Sequence, residues 1–199
     1  MSAVTLISFY TNDWKYPQHA KRLKTECQLL KINNVIEELS STGSYLKNTC
    51  LKPKFILDKL NEIKAPVLWV DVDGSILKYP SFFEDLEGFD FAARLMPDER
   101  KRTWHVGTMW FNYTPQMIEF IEHWIDNTGK LSDESALDKT WKDWGYLIND
   151  KNIPEEYFYI EQKGKHTPKD TVILHRISSG EVKKKELPRA IKIGKEGIY

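Results

Sequence analysis

The chain has 199 residues, 41% hydrophobic and 29% charged, with 29 Lys and Arg balanced by 29 Asp and Glu. That mixture suits a well-packed domain and excludes a disordered chain, and a formal net charge of zero gives no overall attraction to nucleic acid. No apolar run is long enough to span a membrane, and the opening residues MSAVTLISFYTND lack a basic leader and a small-residue cleavage site, so a cytoplasmic protein is expected.

In chain order, Val4–Tyr10 is apolar and reads as a buried strand. Residues 17–30 open with Pro17 and carry Ala20, Leu23, Cys27 and Leu30 at helical spacing. Ile32–Glu38 reads as a second strand, and the polar stretch Ser40–Cys50 as a loop. Residues 53–63 start with Pro53 and repeat Ile56, Leu60 and Ile63, a helix that leads into the strand Val67–Val70. This β-α-β-α-β order is the opening of a doubly wound α/β sheet. A loop or short helix carrying Phe82, Phe83 and Leu86 follows. Phe89–Ala93 reads as a short strand, and Trp104–Asn112 as another, broken at Gly107.

Thr114 and Pro115 give an N-cap and a first helical residue, opening a helix with an apolar stripe of Met117, Ile118, Ile121, Trp124 and Ile125. Ser132 can cap a further helix holding Ala136, Leu137 and Trp141. Tyr157–Ile160 and Val172–His175 are late strands. No repeat or linker interrupts the chain, so residues 1–199 read as one domain, with a basic segment from about residue 176. From Lys163 onward ten basic residues face four acidic ones. Cys27 and Cys50 have no metal-type spacing and read as free thiols. Trp124 and Trp141 lie on helix stripes and read as core, whereas Trp104, Trp110 and Trp144 have no clear place.

The stretch with most chemistry is APVLWVDVDGSILKYP at 65–80. Its buried strand runs into Asp71 and Asp73, which share a side in extended chain. The C-terminal edge of such a sheet is where ligands bind, and two hard oxygen donors there suit Mg²⁺ or Mn²⁺ completed by phosphate oxygens. The plainer alternative is an Asp-rich turn, since Gly74-Ser75 is turn chemistry.

Other pieces fall in order around that core: SFYT at 8–11, Tyr16, KPKFILDKL at 52–60, LWVDVD at 68–73 and Pro80 with Phe82 and Phe83. DFAAR at 90–94, HVGTMWFN at 105–112, SDESAL at 132–137 and Leu174-His175 follow. Over most of its length the chain resembles nucleotide-sugar glycosyltransferases of the GT-A fold that carry a D-x-D motif, of the small bacterial or bacteriophage type. The resemblance implies a Rossmann-like α/β domain with a mixed central sheet flanked by helices. It implies a metal-dependent hexosyl- or pentosyltransferase that moves a sugar from a nucleoside-diphosphate donor, UDP-linked, to a hydroxyl acceptor. That acceptor is either a glycan such as lipopolysaccharide or a hydroxymethylated base in DNA.

The same resemblance assigns residues. Asp73 would chelate Mn²⁺ (or Mg²⁺), and Asp71 would contact the ribose or the ion. Val72 would lie against the donor. His175 would complete the metal site, a mixed oxygen and nitrogen set that favours Mn²⁺; a strand-end His that bonds a loop is the alternative. Tyr10, Thr11 and Tyr16 would hold a uracil base, and Lys54 would approach the nucleotide. His105, Gly107 and Thr108 would face the donor sugar, and Arg94 its hydroxyls or the metal-site carboxylates. The Lys-Pro-Trp that follows the His in the family is missing, so Lys183, or its neighbours Lys184 and Lys185, would contact the diphosphate. Asp133 or Glu134 would be a general base in an inverting enzyme or would position the donor in a retaining one; alternatively both merely complement the helix dipole.

Three other functions compete. A nucleotidyltransferase acting on sugar phosphates would want a Gly-rich loop after the first strand, and SFYTNDWKYPQ has no Gly. A D-x-D-type phosphohydrolase would carry its motif on the first strand. A non-catalytic relative would have a degraded site, against which Asp71, Asp73 and His175 all stand intact.

Overall fold

The computed structural model describes residues 4–96, 103–129, 131–162 and 164–176. The first apolar run forms β1 (Thr5–Thr11), followed by α1 (Tyr16–Leu29) and β2 (Asn34–Leu39). A one-turn helix α2 (Tyr45–Thr49) precedes α3 (Lys52–Ile63), which returns the chain to β3 (Val67–Val70). Both β2 and β3 pair with β1 in parallel, so the β-α-β-α-β pattern is realised. Next come β4 (Ser75–Ile76), β5 (Phe91–Leu95) and β6 (Trp104–Phe111). The helices α4 (Pro115–Asn127) and α5 (Asp133–Trp144) then lead to β7 (Asp150–Asn152), β8 (Tyr159–Ile160) and β9 (Ile173–His175).

The central sheet has six strands in the order β2-β1-β3-β6-β5-β7, and β6 runs antiparallel to both its neighbours. It is therefore a mixed sheet flanked by helices. A three-stranded sheet, β4-β9-β8, packs β9 against the segment that follows Asp73.

Strand alternation sorts the core into two layers. Leu68 and Val70 face α1 together with Leu6, Leu23 and Trp110. Val67 and Trp69 face the opposite side, among Ile56, Leu60, Phe111 and Trp124. With all four residues buried, β3 is a central strand covered on both faces. Trp104, Trp110, Trp124 and Trp141 are buried core, and Trp144 stacks on His123 with ring centroids 3.9 Å apart.

Several expected boundaries shift. Ser40–Cys50 is not all loop: Asn48 Oδ1 accepts from the Thr42 amide at 2.8 Å and its hydroxyl at 2.7 Å, so the polar residues fold α2 onto its own lead-in. The second strand starts at Asn34 rather than Ile32, and the fifth at Phe91 rather than Phe89. Gly107 does not break β6, which is continuous through it. The strand expected over Tyr157–Ile160 is shortened to β8, because Glu155–Tyr157 form a 3₁₀ turn. Among the described residues no helix is long and apolar enough to cross a membrane.

Candidate functional site

At the end of β3 the Asp71 amide donates to Gly107 O at 2.8 Å, and Gly74 N donates back to Asp71 O at 2.7 Å, closing a turn. A methyl at Gly74 would lie 2.9 Å from Val70 Cγ1 and 3.0 Å from Asp71 O, so the turn requires glycine by space alone. It presents Asp71, Val72 and Asp73 to a pocket of about 530 Å³.

The inner end of that pocket is charged. Lys52, the first residue of α3, is only 4% exposed. Its Nζ lies 3.0 Å from Asp71 Oδ1 and 2.7 Å from Asp133 Oδ2, and donates to Val106 O at 3.2 Å. It also sits 5.4 Å from the centre of the Trp69 ring, whose Nε1 donates to Asp71 Oδ1 at 3.0 Å. Burial disfavours the ammonium, but the Asp133 and Asp71 carboxylates more than offset this and hold the Lys52 pKa above its ordinary value. Lys52 is thus a permanent cation joining the carboxylate turn to α5.

Ser132 caps α5, its hydroxyl accepting from the Ser135 amide at 3.2 Å. The first turn beyond the cap brings Asp133, buried, and Glu134, half-buried, to the pocket wall. Two carboxylates there complement the positive end of the helix. The Trp124 indole donates to Asp133 O at 2.9 Å and fixes that turn to α4.

The outer end is aromatic and polar. Tyr10, Thr11 and Tyr16 line it, joined by Asp13 and by Tyr45 and Asn48 of α2. The Thr11 hydroxyl donates to Asp13 Oδ1 at 2.5 Å and the Ser41 hydroxyl to Asp13 Oδ2 at 2.7 Å, so one carboxylate ties β1 to the segment leading into α2. Burial, together with nearby Tyr45, Asp73, Asp13 and Asp71, raises the Tyr16 phenol well above its usual range and keeps it protonated.

The pocket therefore gathers Tyr10, Thr11, Tyr16, Asp71, Val72, Asp73, Asp133 and Glu134 of the expected residues. Others lie elsewhere. Lys54 is exposed and pairs with Asp58 one turn along α3; the inward-facing lysine is Lys52. Arg94 donates to Ile153 O at 3.2 Å, with Glu155 at 3.9 Å, outside the pocket lining. Thr108 is fully buried, its Oγ1 2.7 Å from His175 Nε2. A methyl at Gly107 would lie 2.9 Å from Phe158 Cε2 and 3.1 Å from His175 Nδ1, so this glycine makes room for those rings, and it is not part of the pocket lining. His175 is buried, which pushes its pKa down to about 4 and leaves a neutral imidazole. In this structure its hydrogen-bond partner is Thr108 of strand β6, not a loop as in the strand-end alternative. Lys183 lies outside the described residues, as do Lys184 and Lys185.

Among the described residues no group of three or more His, Cys, Asp or Glu side chains forms a metal-binding cluster. Asp71 and Asp73 still line one pocket, and two hard carboxylates fit a divalent ion whose remaining positions are filled by ligand oxygens. Sequence reasoning missed Lys52, Asp13 and Tyr45. Lys52 carried a signal, because a cation at a helix N-terminus opposes the macrodipole unless carboxylates answer it.

No protein-family model matches the chain, and no curated protein matches its sequence. Solved structures do match in fold. One is a glycosyltransferase involved in the glycosylation of the major capsid of PBCV-1, with a TM-score of 0.68 at 13% identity, covering 94% of this chain and 98% of that one. Another is the glycosyltransferase GlyE of Streptococcus pneumoniae TIGR4, with a TM-score of 0.55 at 14% identity. The match covers 86% of this chain and 53% of GlyE, so the chain spans about half of that protein. The apo form of GlyE gives a TM-score of 0.56 at 14% identity. The mixed sheet with its flanking helices is thus a fold found in solved glycosyltransferases.

Proposed function

We propose that the protein is a GT-A glycosyltransferase that moves a sugar from a UDP-linked donor to a hydroxyl acceptor, assisted by Mn²⁺ or Mg²⁺. The observation that carries this reading is the division of one pocket into an aromatic outer end and a charged inner end, with Asp71 and Asp73 between them. The pocket volume falls in the range expected for a small-molecule site.

In this reading the Tyr10 and Tyr16 rings hold the base, and Asp13 and Asn48 offer polar contacts to base or ribose. Asp71 and Asp73 would hold the divalent ion on the diphosphate. When bound, that ion stabilises the negative charge that develops on the departing diphosphate. Lys52, whose three donors are taken by Asp71, Asp133 and Val106 O, would hold the two carboxylates in place as acceptors for sugar hydroxyls. Glu134, which lines the pocket and is more open than Asp133, would take the acceptor proton in an inverting reaction or steady the donor in a retaining one.

The PBCV-1 enzyme takes part in glycosylating a capsid. That supports a glycan or glycosylated protein as acceptor here, ahead of DNA. Retention on DNA that weakens steeply with salt would reverse this order.

Calorimetry with UDP and Mn²⁺ tests the donor site. Binding is expected only when both are present, and Asp73→Ala should abolish it without unfolding the protein. If wild-type protein ignores UDP, GDP and ADP with Mn²⁺, the donor reading falls. Full turnover in Asp73→Ala would remove the metal role from this aspartate.

A further inference from the structure

Behind the carboxylate turn, on the side away from the pocket, α1 places Arg22 and Glu26 one helical turn apart. The Arg22 Nη2 donates to Asp73 O at 2.9 Å and to Gly74 O at 2.8 Å. Glu26 Oε2 accepts from the Ile76 amide at 2.8 Å, and Glu26 Oε1 lies 3.5 Å from Arg22 Nε. Arg22 Nη1 is also 3.0 Å from His19 Nδ1, and Arg176 Nη1 donates to Ser75 Oγ at 2.6 Å. The carbonyls of 73 and 74 and the amide of 76 are thereby all held by two side chains of one helix. Neither Arg22 nor Glu26 lines the pocket.

The segment they hold needs holding. Its only strand, β4, is two residues long, and Gly74 allows its neighbouring peptides to rotate. Backbone polar groups in such a largely buried turn must find partners. The planar guanidinium aims Nη2 at both carbonyls while its Nε faces Glu26 and its Nη1 faces His19, a fixed three-way arrangement that an ammonium does not reproduce. With those carbonyls held, the Asp73 Cα and the direction of its side chain relative to Asp71 are fixed; without these bonds the turn can shift both.

We infer that Arg22 and Glu26 are positioning residues that set the relative orientation of the Asp71 and Asp73 carboxylates, and so the affinity for a divalent ion bound to a nucleoside diphosphate. This rests on the donor reading above.

The test compares wild-type protein with Arg22→Met, Arg22→Lys and Glu26→Gln, by UDP–Mn²⁺ calorimetry and by deuterium exchange without ligand. Arg22→Met should weaken UDP–Mn²⁺ roughly 10- to 100-fold, the usual effect of removing an outer partner of a metal ligand. The amides of Gly74 and Ile76 should exchange faster while those of β3 and β6 keep their protection. Arg22→Lys should recover only part of the affinity, and Glu26→Gln should loosen Ile76 most. Wild-type affinity in a folded Arg22→Met, or full recovery in Arg22→Lys, would overturn the assignment. Loss of protection throughout the sheet in Arg22→Lys would make the pair a folding element and overturn it too. If wild-type protein binds none of the nucleotides, the donor reading fails and the affinity claim with it. The exchange data then separately decide whether the pair holds the turn.

Discussion

Lys52 shows what a single side chain can fix in this protein. Its place at a helix N-terminus signalled a need for carboxylates, but not which ones, because helical periodicity assigns lysine to the solvent side and the partner Asp133 lies far along the chain. Removing it as Lys52→Met should leave Asp133 buried without its cation and destabilise the protein by about 3 kcal/mol, the lower end for breaking a buried pair because Asp71 is partly exposed. Urea denaturation measures the loss, and adding Asp133→Asn should restore part of it. His175 gives a second test, in pH. Its folded pKa of about 4 lies below the ordinary 6.5, so the unfolded chain takes up the proton first as pH falls. Stability is complete above the ordinary value and is lost as pH drops towards the folded one, by about 3 kcal/mol across that window. His175→Gln should flatten that part of the pH–stability curve; an unchanged slope would show that His175 does not cause it. The paired aspartates were legible as a pair, but not for the reason of strand alternation: β3 ends at Val70, and it is the turn closed by the Gly74 amide on Asp71 O that brings both to one pocket. The Thr108–His175 bond was not legible, since nothing local joins those residues.

Elements with strong end signals were read closely, and short ones were not. Thr114 with Pro115 marked α4, and Ser132 marked α5, because a cap hydroxyl and a proline act within one turn. The strands β4, β7 and β8 span two or three residues, too few for a period of two to register, and are defined by their partners. The helix α2 was hidden by polar composition, since its N-cap Ser44 makes no side-chain cap bond and the helix is tied to its lead-in by Thr42 and Asn48. Ser132→Ala should cost about 1 kcal/mol in unfolding free energy. It should also lower turnover more than that loss implies, because Asp133 and Glu134 ride on the same turn. Equal effects on turnover and stability would detach the cap from the site. Gly107→Ala tests the opposite side of the sheet. Its methyl would meet Phe158 and His175 and should destabilise by about 1–3 kcal/mol, as overpacking does. If it is instead neutral in stability and harmful only to donor binding, Gly107 regains the ligand-facing role that the sequence resemblance gave it.

At the scale of the whole molecule, the pocket is walled by segments far apart in sequence: the end of β1, α2, the starts of α3 and α5, and the turn after β3. A ligand that touches all of them binds the folded chain alone and must stabilise it globally. At a UDP concentration about 100 times its dissociation constant, with Mn²⁺ present, that stabilisation is about 2.7 kcal/mol. For a chain of this size the melting temperature should then rise by roughly 5–10 °C. The rise should disappear with EDTA and in Asp73→Ala. The controls carry the physical content. Mn²⁺ alone should give little, because two carboxylates, one of them (Asp71) already paired with the Lys52 cation, offer an incomplete coordination shell. UDP alone should give little, because its diphosphate would face Asp71, Asp73 and Glu134 while the Lys52 ammonium is already held by Asp71 and Asp133. A full rise with UDP in EDTA would mean that basic side chains, rather than a metal bridge, hold the diphosphate.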